Sequence, residues 1–271
     1  MDADWIIPAF VLIDTLMERL GHRSDVRAQV PDSEVILIAV VAAKYFQNHH
    51  ERAVCILRET HYLSGRIDVT RFNRRLHKLA DWLAFIATTL GEILCTGDVF
   101  VIDSLPVPVC RRVRARRCRK VRGRAFCGYC AAKKEKFFGW RLHLICTPSG
   151  VPVSFEMLPA AFHDLTPVHE LAVCLPAGAR LFGDKAYNSA ADEASILDDT
   201  HVRLIPVRRA NMQAHAWFLD EIELREYRHT IETVNSQCEK MGLEWLHART
   251  NPGFELKVRA SMIALACTNM Y

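Results

Sequence analysis

Residues 5–95 carry apolar positions at helical spacing. Pro8 suits a first helical turn, and Gly21 suits the end of that helix. Asp32 or Ser33 can cap a second helix, which carries the apolar run 35–43. Thr70 can cap a third, where Phe72, Leu76, Leu79, Leu83 and Ile86 form one apolar face. Arg71, Arg74, Arg75 and Lys78 form a basic stripe on the same helix, read either as a solvated face or as a contact for phosphates.

Near residue 98 the period changes. Residues 99–102 are a short continuous apolar run, as in a strand buried on both faces. Residues 137–146 and 151–158 flank Pro148-Ser149-Gly150 and read as a hairpin. A helix over 165–175, a strand at 179–182, a helix from about Ser189 and a strand at 204–207 follow, and the chain is helical again from about residue 212. The expected fold class is α/β: a mixed sheet flanked by helices, preceded by an all-helical amino-terminal domain. The expected domains are 1–95 and 96–271.

Composition narrows this little. Half of the 271 residues are hydrophobic, which excludes a disordered chain, and the net charge of +4 does not by itself imply nucleic acid. No apolar run approaches the ~20 residues of a membrane helix. The first four residues are acidic rather than basic, and the ten cysteines are scattered. A reduced, cytoplasmic protein with free thiols is expected, with no membrane partner.

The candidate chemistry lies in acids. Asp103 follows the run 99–102, and Asp184 follows 179–183, so each stands where an α/β sheet meets ligands. Each also reads as a turn former or helix cap. In the last helical segment Arg228, Glu232, Asn235 and Glu239 form a polar stripe beside the apolar Ile231, Val234, Cys238 and Met241. Arg228 and Glu232 are four apart and can pair as an ordinary surface ion pair. His143, His163 and Asp164 are candidate neighbours of the acids. Ser104 and Tyr187 adjoin them too, but neither has a visible base to make it a nucleophile. Lys185, directly after Asp184, can meet a phosphate or simply face solvent.

These segments taken together resemble the DDE transposases of bacterial insertion sequences, in particular the compact family numbered nine-eight-two. The likeness rests on VIDSLPVPVC, FFGWRLHL, AFHDL, GDKAYNS and YRHTIETVNSQ with its downstream HARTNPGFELKVRASMIALA, in that order. SEVILIAVV and RFNRRLHKLADWL in the head are also similar. The resemblance implies an RNase H-like core in which Asp103, Asp184 and Glu232 are the catalytic, metal-binding acids. It places Tyr227 and Arg228 in a tyrosine–arginine–glutamate signature. The sequence departs from related families at Glu239, where a basic residue often stands, with Lys240 beside it. The cofactor implied is a pair of Mg²⁺ ions, for which Mn²⁺ would substitute, held by hard carboxylate oxygens. The activity implied is cleavage of element ends at terminal inverted repeats, then joining of the 3′-hydroxyl to target DNA. A stand-alone nuclease on the same fold, and a non-catalytic domesticated DNA-binding relative, are the alternatives. The head would bind DNA or dimerise, a homodimer would pair two ends, and the enzyme would work at the nucleoid.

The expected basic loop, 110–136, fits that substrate. Arg111, Arg112, Arg114, Arg116, Arg117, Arg119, Lys120, Arg122 and Arg124 are nine cations in fourteen positions with no acid among them. Such a tract binds double-stranded DNA by releasing counterions, or else merely solubilises a loop. It also holds Cys110, Cys118, Cys127 and Cys130, which can ligate a structural Zn²⁺ or remain free thiols.

Overall fold

The structure, a computed structural model, describes residues 1–131, 133–208 and 218–270. It divides into two compact units, Met1–Leu90 with Cys238–Tyr271, and Gly91–Gln237. The expected division was drawn along the chain at residue 95, whereas compactness groups the carboxyl-terminal segment with the head.

The first unit is helical: α1 (Ala3–Arg19), α2 (Asp32–Phe46), α3 (His50–Glu59), α4 (Val69–Lys78), the start of α5 (Ala80–Leu94) and α9 (Asn251–Asn269). α2 and α9 pack together and are buried on nearly every side, as helices apolar all round must be. The one lysine buried in α9, Lys257, donates to the carbonyls of Asn48 at 2.7 Å and His247 at 2.8 Å. These carbonyls offset part of the cost of burying its ammonium.

Local signals differ from expectation at three helix starts. Asp2 caps α1 by accepting from Asp4 N–H at 3.0 Å, so Pro8 falls inside the helix. Pro31 precedes α2, because Asp32 is drawn away by the Arg75 guanidinium and the His22 ring. Asp68 rather than Thr70 caps α4, accepting from Arg71 N–H at 2.9 Å. The expected third helix is two, α4 and α5, and all five residues of its apolar face are buried. Gly21 does end α1: at φ +79° it allows the His22 and Gly21 amides to bond back to Met17 and Glu18.

The second unit is a mixed sheet: β1 (Val99–Arg111), β2 (Cys127–Cys130), β3 (Glu135–Cys146), β4 (Pro152–Pro159), β5 (Arg180–Gly183) and β6 (Arg203–Pro206). The order runs β2-β3-β1-β5-β6, with β4 beside β3. β1, β2, β3 and β4 pair antiparallel, while β5 and β6 run parallel to β1. This is the arrangement expected of an RNase H-like core. On one face Phe100, Ile102, Ile145, Leu181 and Tyr187 pack with α6 (Val168–Ala172) and α7 (Ala190–Thr200). Ser189 caps α7 through Asp192 N–H at 3.3 Å, as its position predicts.

β1 continues nine residues beyond the expected end at 102, because Leu105, Val107 and Val109 alternate as buried positions. The pairing slips between Pro108 and Cys110, opposite Gly139, where a Cβ would lie 2.6 Å from the Val107 carbonyl oxygen. The expected loop 110–136 therefore begins inside a strand and also contains β2. α6 is shorter than the expected 165–175. The expected helix start near 212 lies outside the described residues, and α8 is described from Phe218 to Lys240. No described helix is long and apolar enough to cross a membrane.

Candidate active site

Asp103 does not stand at the end of its strand but in the middle of it, opposite Leu144 of β3. Successive side chains of a strand face opposite ways. Asp103 therefore shares a face with Val101, Leu144 and Cys146, and these line a small pocket closed by Ile231, Val234 and Asn235 of α8. Asn235 Nδ2 donates to Asp103 Oδ2 at 2.7 Å. Burial pushes the Asp103 carboxyl up to about 6, and the negative charges of Asp184 and Asp164 add to the rise. The Asn235 amide and the Ser104 backbone N–H oppose it.

Asp184 comes next to Asp103 by strand register. Ile102 pairs with Gly183, so the residues that follow leave neighbouring parallel strands, whose backbones run ~4.8 Å apart. The Asp184 side chain also accepts from Ala186 N–H at 2.7 Å, capping a short 3-10 turn, Lys185–Tyr187. The turn-capping reading and the site reading of this aspartate are compatible. Lys185 is exposed at the same corner.

Glu232 is placed differently. Its carboxylate accepts from Arg228 Nε at 3.1 Å, and both side chains are largely exposed, at 60% and 80%. Asn235, three residues on along the same helical stripe, is the one that reaches Asp103. The helix that carries the third expected acid is thus docked over the first, while the acid itself is engaged elsewhere. The role of Asn235 is absent from a reading of acids alone. Its sequence signal is its place on the stripe with Arg228 and Glu232.

The opposite face of β1 holds a polar group that the sequence hinted at only through His143 and Asp164. Ser104 Oγ donates to Asp164 Oδ1 at 2.7 Å, and Arg141 Nη1 donates to the two Asp164 oxygens at 3.1 and 3.4 Å. Arg141 Nη2 also meets the Tyr129 carbonyl at 3.4 Å. His143 is fully buried beside them, its Nδ1 4.0 Å from Asp164, and burial lowers it to about 4, so it is neutral near pH 7. Tyr187 is buried as well; burial, then the charges of Asp103, Asp164 and Asp184, raise its phenol well above the usual range. The carboxylate that accepts from Ser104 is itself engaged by the Arg141 guanidinium. His163 Nδ1 accepts from the Leu165 amide of its own turn at 3.3 Å.

The basic tract is built rather than loose. Two 3-10 turns, Arg112–Arg117 and Arg124–Phe126, are tied down by buried Val121 and by the Phe126 ring against Trp140, 4.9 Å between centroids. The arginines at 111, 112, 114, 116, 117, 119, 122 and 124 are all exposed, while Lys120 is half-buried and donates to the Val109 carbonyl at 3.4 Å. Cys110 and Cys118 come together through a thiol hydrogen bond, and burial raises the Cys110 thiol. Cys127 and Cys130 stand on β2. In α4, Arg71, Arg74 and Lys78 are exposed, whereas Arg75 is held by Asp32 and the Val30 carbonyl.

Among the described residues, no three His, Cys, Asp or Glu side chains are gathered so that they could hold a metal ion. That applies to the four tract cysteines as well as to the three acids. The chemistry of the donors nevertheless suits a hard divalent cation. Asp103 on β1 and Asp184 just past β5 are both carboxylates, and the repulsion between them is what a cation relieves. Glu232 is instead paired with Arg228.

A family described as "Transposase DDE domain" matches residues 93–251. No curated protein matches the chain, and no solved structure does.

Proposed function

Since the chain belongs to the transposase DDE-domain family, we propose that it mobilises a bacterial insertion sequence of the family numbered nine-eight-two. It would cut DNA at the terminal inverted repeats and join the freed 3′-hydroxyl to target DNA, acting in the cytoplasm at the nucleoid. The observation that carries this reading is the approach of Asp103 on β1 to Asp184 just past the end of the neighbouring β5, with α8 docked over Asp103 through Asn235.

In this reading Asp103, Asp184 and Glu232 hold two Mg²⁺ ions, or Mn²⁺ in their place. Bound there, such ions lower the pKa of the attacking oxygen and stabilise the charge on the leaving one. Asn235 fixes the orientation of the Asp103 carboxylate, so that oxygen Oδ1 remains for other partners. Glu232 exchanges Arg228 for the shared site, leaving the guanidinium to meet a phosphate. Lys185 and the exposed arginines of the tract hold the polymer by its backbone, which positions DNA without reading bases. The exposed Arg71, Arg74 and Lys78 of α4 extend the basic surface of the head, and two copies pair two ends.

The test uses a labelled duplex carrying the terminal repeat that flanks the coding sequence. Asp103→Ala should bind it as the wild type does and fail to nick it in Mg²⁺. Nicking at the wild-type rate would remove Asp103 from the chemistry and this reading with it.

A further inference from the structure

The Arg141–Asp164 pair plays no part in the chemistry above, yet it sits directly behind the first acid. Asp103 and Ser104 are consecutive residues of β1 and face opposite ways. Asn235 holds Asp103 from one face, and Asp164 holds Ser104 from the other. The peptide between them is therefore pinned on both sides.

Asp164 is itself held at both oxygens by Arg141, and its side chain is only 16% exposed. A half-buried ion pair of this kind is weak support for stability, because desolvation offsets much of its Coulomb gain. Its value lies in geometry, since a guanidinium on a carboxylate fixes both groups. The same Arg141 reaches the Tyr129 carbonyl on β2, the strand that closes the basic tract. One guanidinium thus touches the segment after β4, the serine beside Asp103, and the end of the arginine-rich segment. His143 lies beneath, neutral, and leaves the carboxylate to Arg141 and Ser104.

We propose that Asp164, clamped by Arg141, is a positioning residue for strand cleavage, acting through Ser104 to fix the direction in which Asp103 points. This rests on the reading of Asp103 as a catalytic acid, and the experiment separates the two claims.

Full-length wild type, Asp164→Asn, Ser104→Ala, the double variant and Asp103→Ala are compared on the labelled terminal-repeat duplex. Three quantities are read: the single-turnover nicking rate, the affinity for the duplex, and the thermal midpoint. Asp164→Asn should slow nicking by about 10- to 100-fold with affinity unchanged, as losing a partner behind a ligand does. The double variant should be no slower than the slower single one, since both changes break one contact. Ser104→Ala removes a single oxygen, keeps the midpoint, and should slow nicking in the same direction. If Asp103→Ala is inactive while Ser104→Ala and Asp164→Asn nick at the wild-type rate, the positioning role is wrong and the transposase reading stands. Loss of rate only in proportion to a lowered midpoint, with additive effects in the double variant, likewise overturns it. If Asp103→Ala remains active, the underlying reading fails first.

Discussion

Of the expected catalytic acids, one lies in a strand, one just past the end of a strand and one on a helix, and the structure treats them very differently. Asp103 and Asp184 each follow the last pair of the β1–β5 ladder, Ile102 with Gly183, and Asp184 is further tied to the turn it caps. Burial and mutual charge hold the Asp103 carboxyl at about 6, so the fold bears a cost for keeping it there. Glu232 is 60% exposed on α8 and paired to Arg228, one turn earlier on its own helix. A ladder dictates where a short side chain must be. A helix dictates only which face a long one leaves from, and glutamate then takes the nearest opposite charge. In the proposed site, Asp103 and Asp184 are the fixed half and Glu232 is the adjustable half.

If this contrast is right, the fixed half should be the less forgiving. Asp184→Asn should lower Mg²⁺-dependent nicking by about 10³-fold or more, since a metal contact is worth several kcal/mol and each 1.36 kcal/mol is tenfold. Glu232→Asp keeps the charge on a shorter stem and should retain more activity than Asp184→Asn. Equal losses in a single-turnover assay would abolish the distinction.

A smaller effect concerns stability without metal. The unfolded Asp103 carboxyl titrates near ~3.9, and its folded value is about 6. Between these values the native state binds more protons than the unfolded one, so this group's contribution falls as pH rises through the window. Asp103→Asn removes that penalty. Its advantage over wild type in urea unfolding should grow from about pH 4 to 6, then level off at no more than about 3 kcal/mol. A constant difference across pH would show that the acid is not strained by its surroundings.

Smallest is the effect of freeing the helix acid. Arg228→Met deletes an exposed i, i+4 pair worth about 0.3–0.5 kcal/mol, so the midpoint of unfolding should barely move. The concentration of Mg²⁺ needed for half-maximal nicking should fall, because Glu232 no longer has to be released. A rise would mean that Arg228 serves the site in some way other than competing for Glu232.

Periodicity made much of this architecture legible. The helical head, the 148–150 hairpin and the alternation of strand and helix after it are all visible as changes of period. Boundaries were less so: β1 was cut short because its continuous apolar run gives way to alternation at Leu105, Val107 and Val109, with prolines between. The cap of α2 is not legible because a more distant partner competes, Arg75 for Asp32. The candidate acids stand out in the sequence because each follows an apolar strand or shares a stripe with a partner. Arg141 could not, since one arginine in an apolar strand carries no sign of what it will meet. Asn235 was visible on its stripe, but its bond to Asp103 spans 132 residues of sequence and follows only from how α8 docks.

From the residues alone came the α/β class, the order of the acids and the concentration of positive charge after the first of them. These are local properties, written in spacing and composition. The tertiary structure decided which acids meet, that Asp103 is gripped by Asn235 and backed by Asp164, and that Glu232 rests on Arg228. Those outcomes depend on strand register and helix docking, which are set by packing across the whole unit and leave no mark on neighbouring positions in the chain.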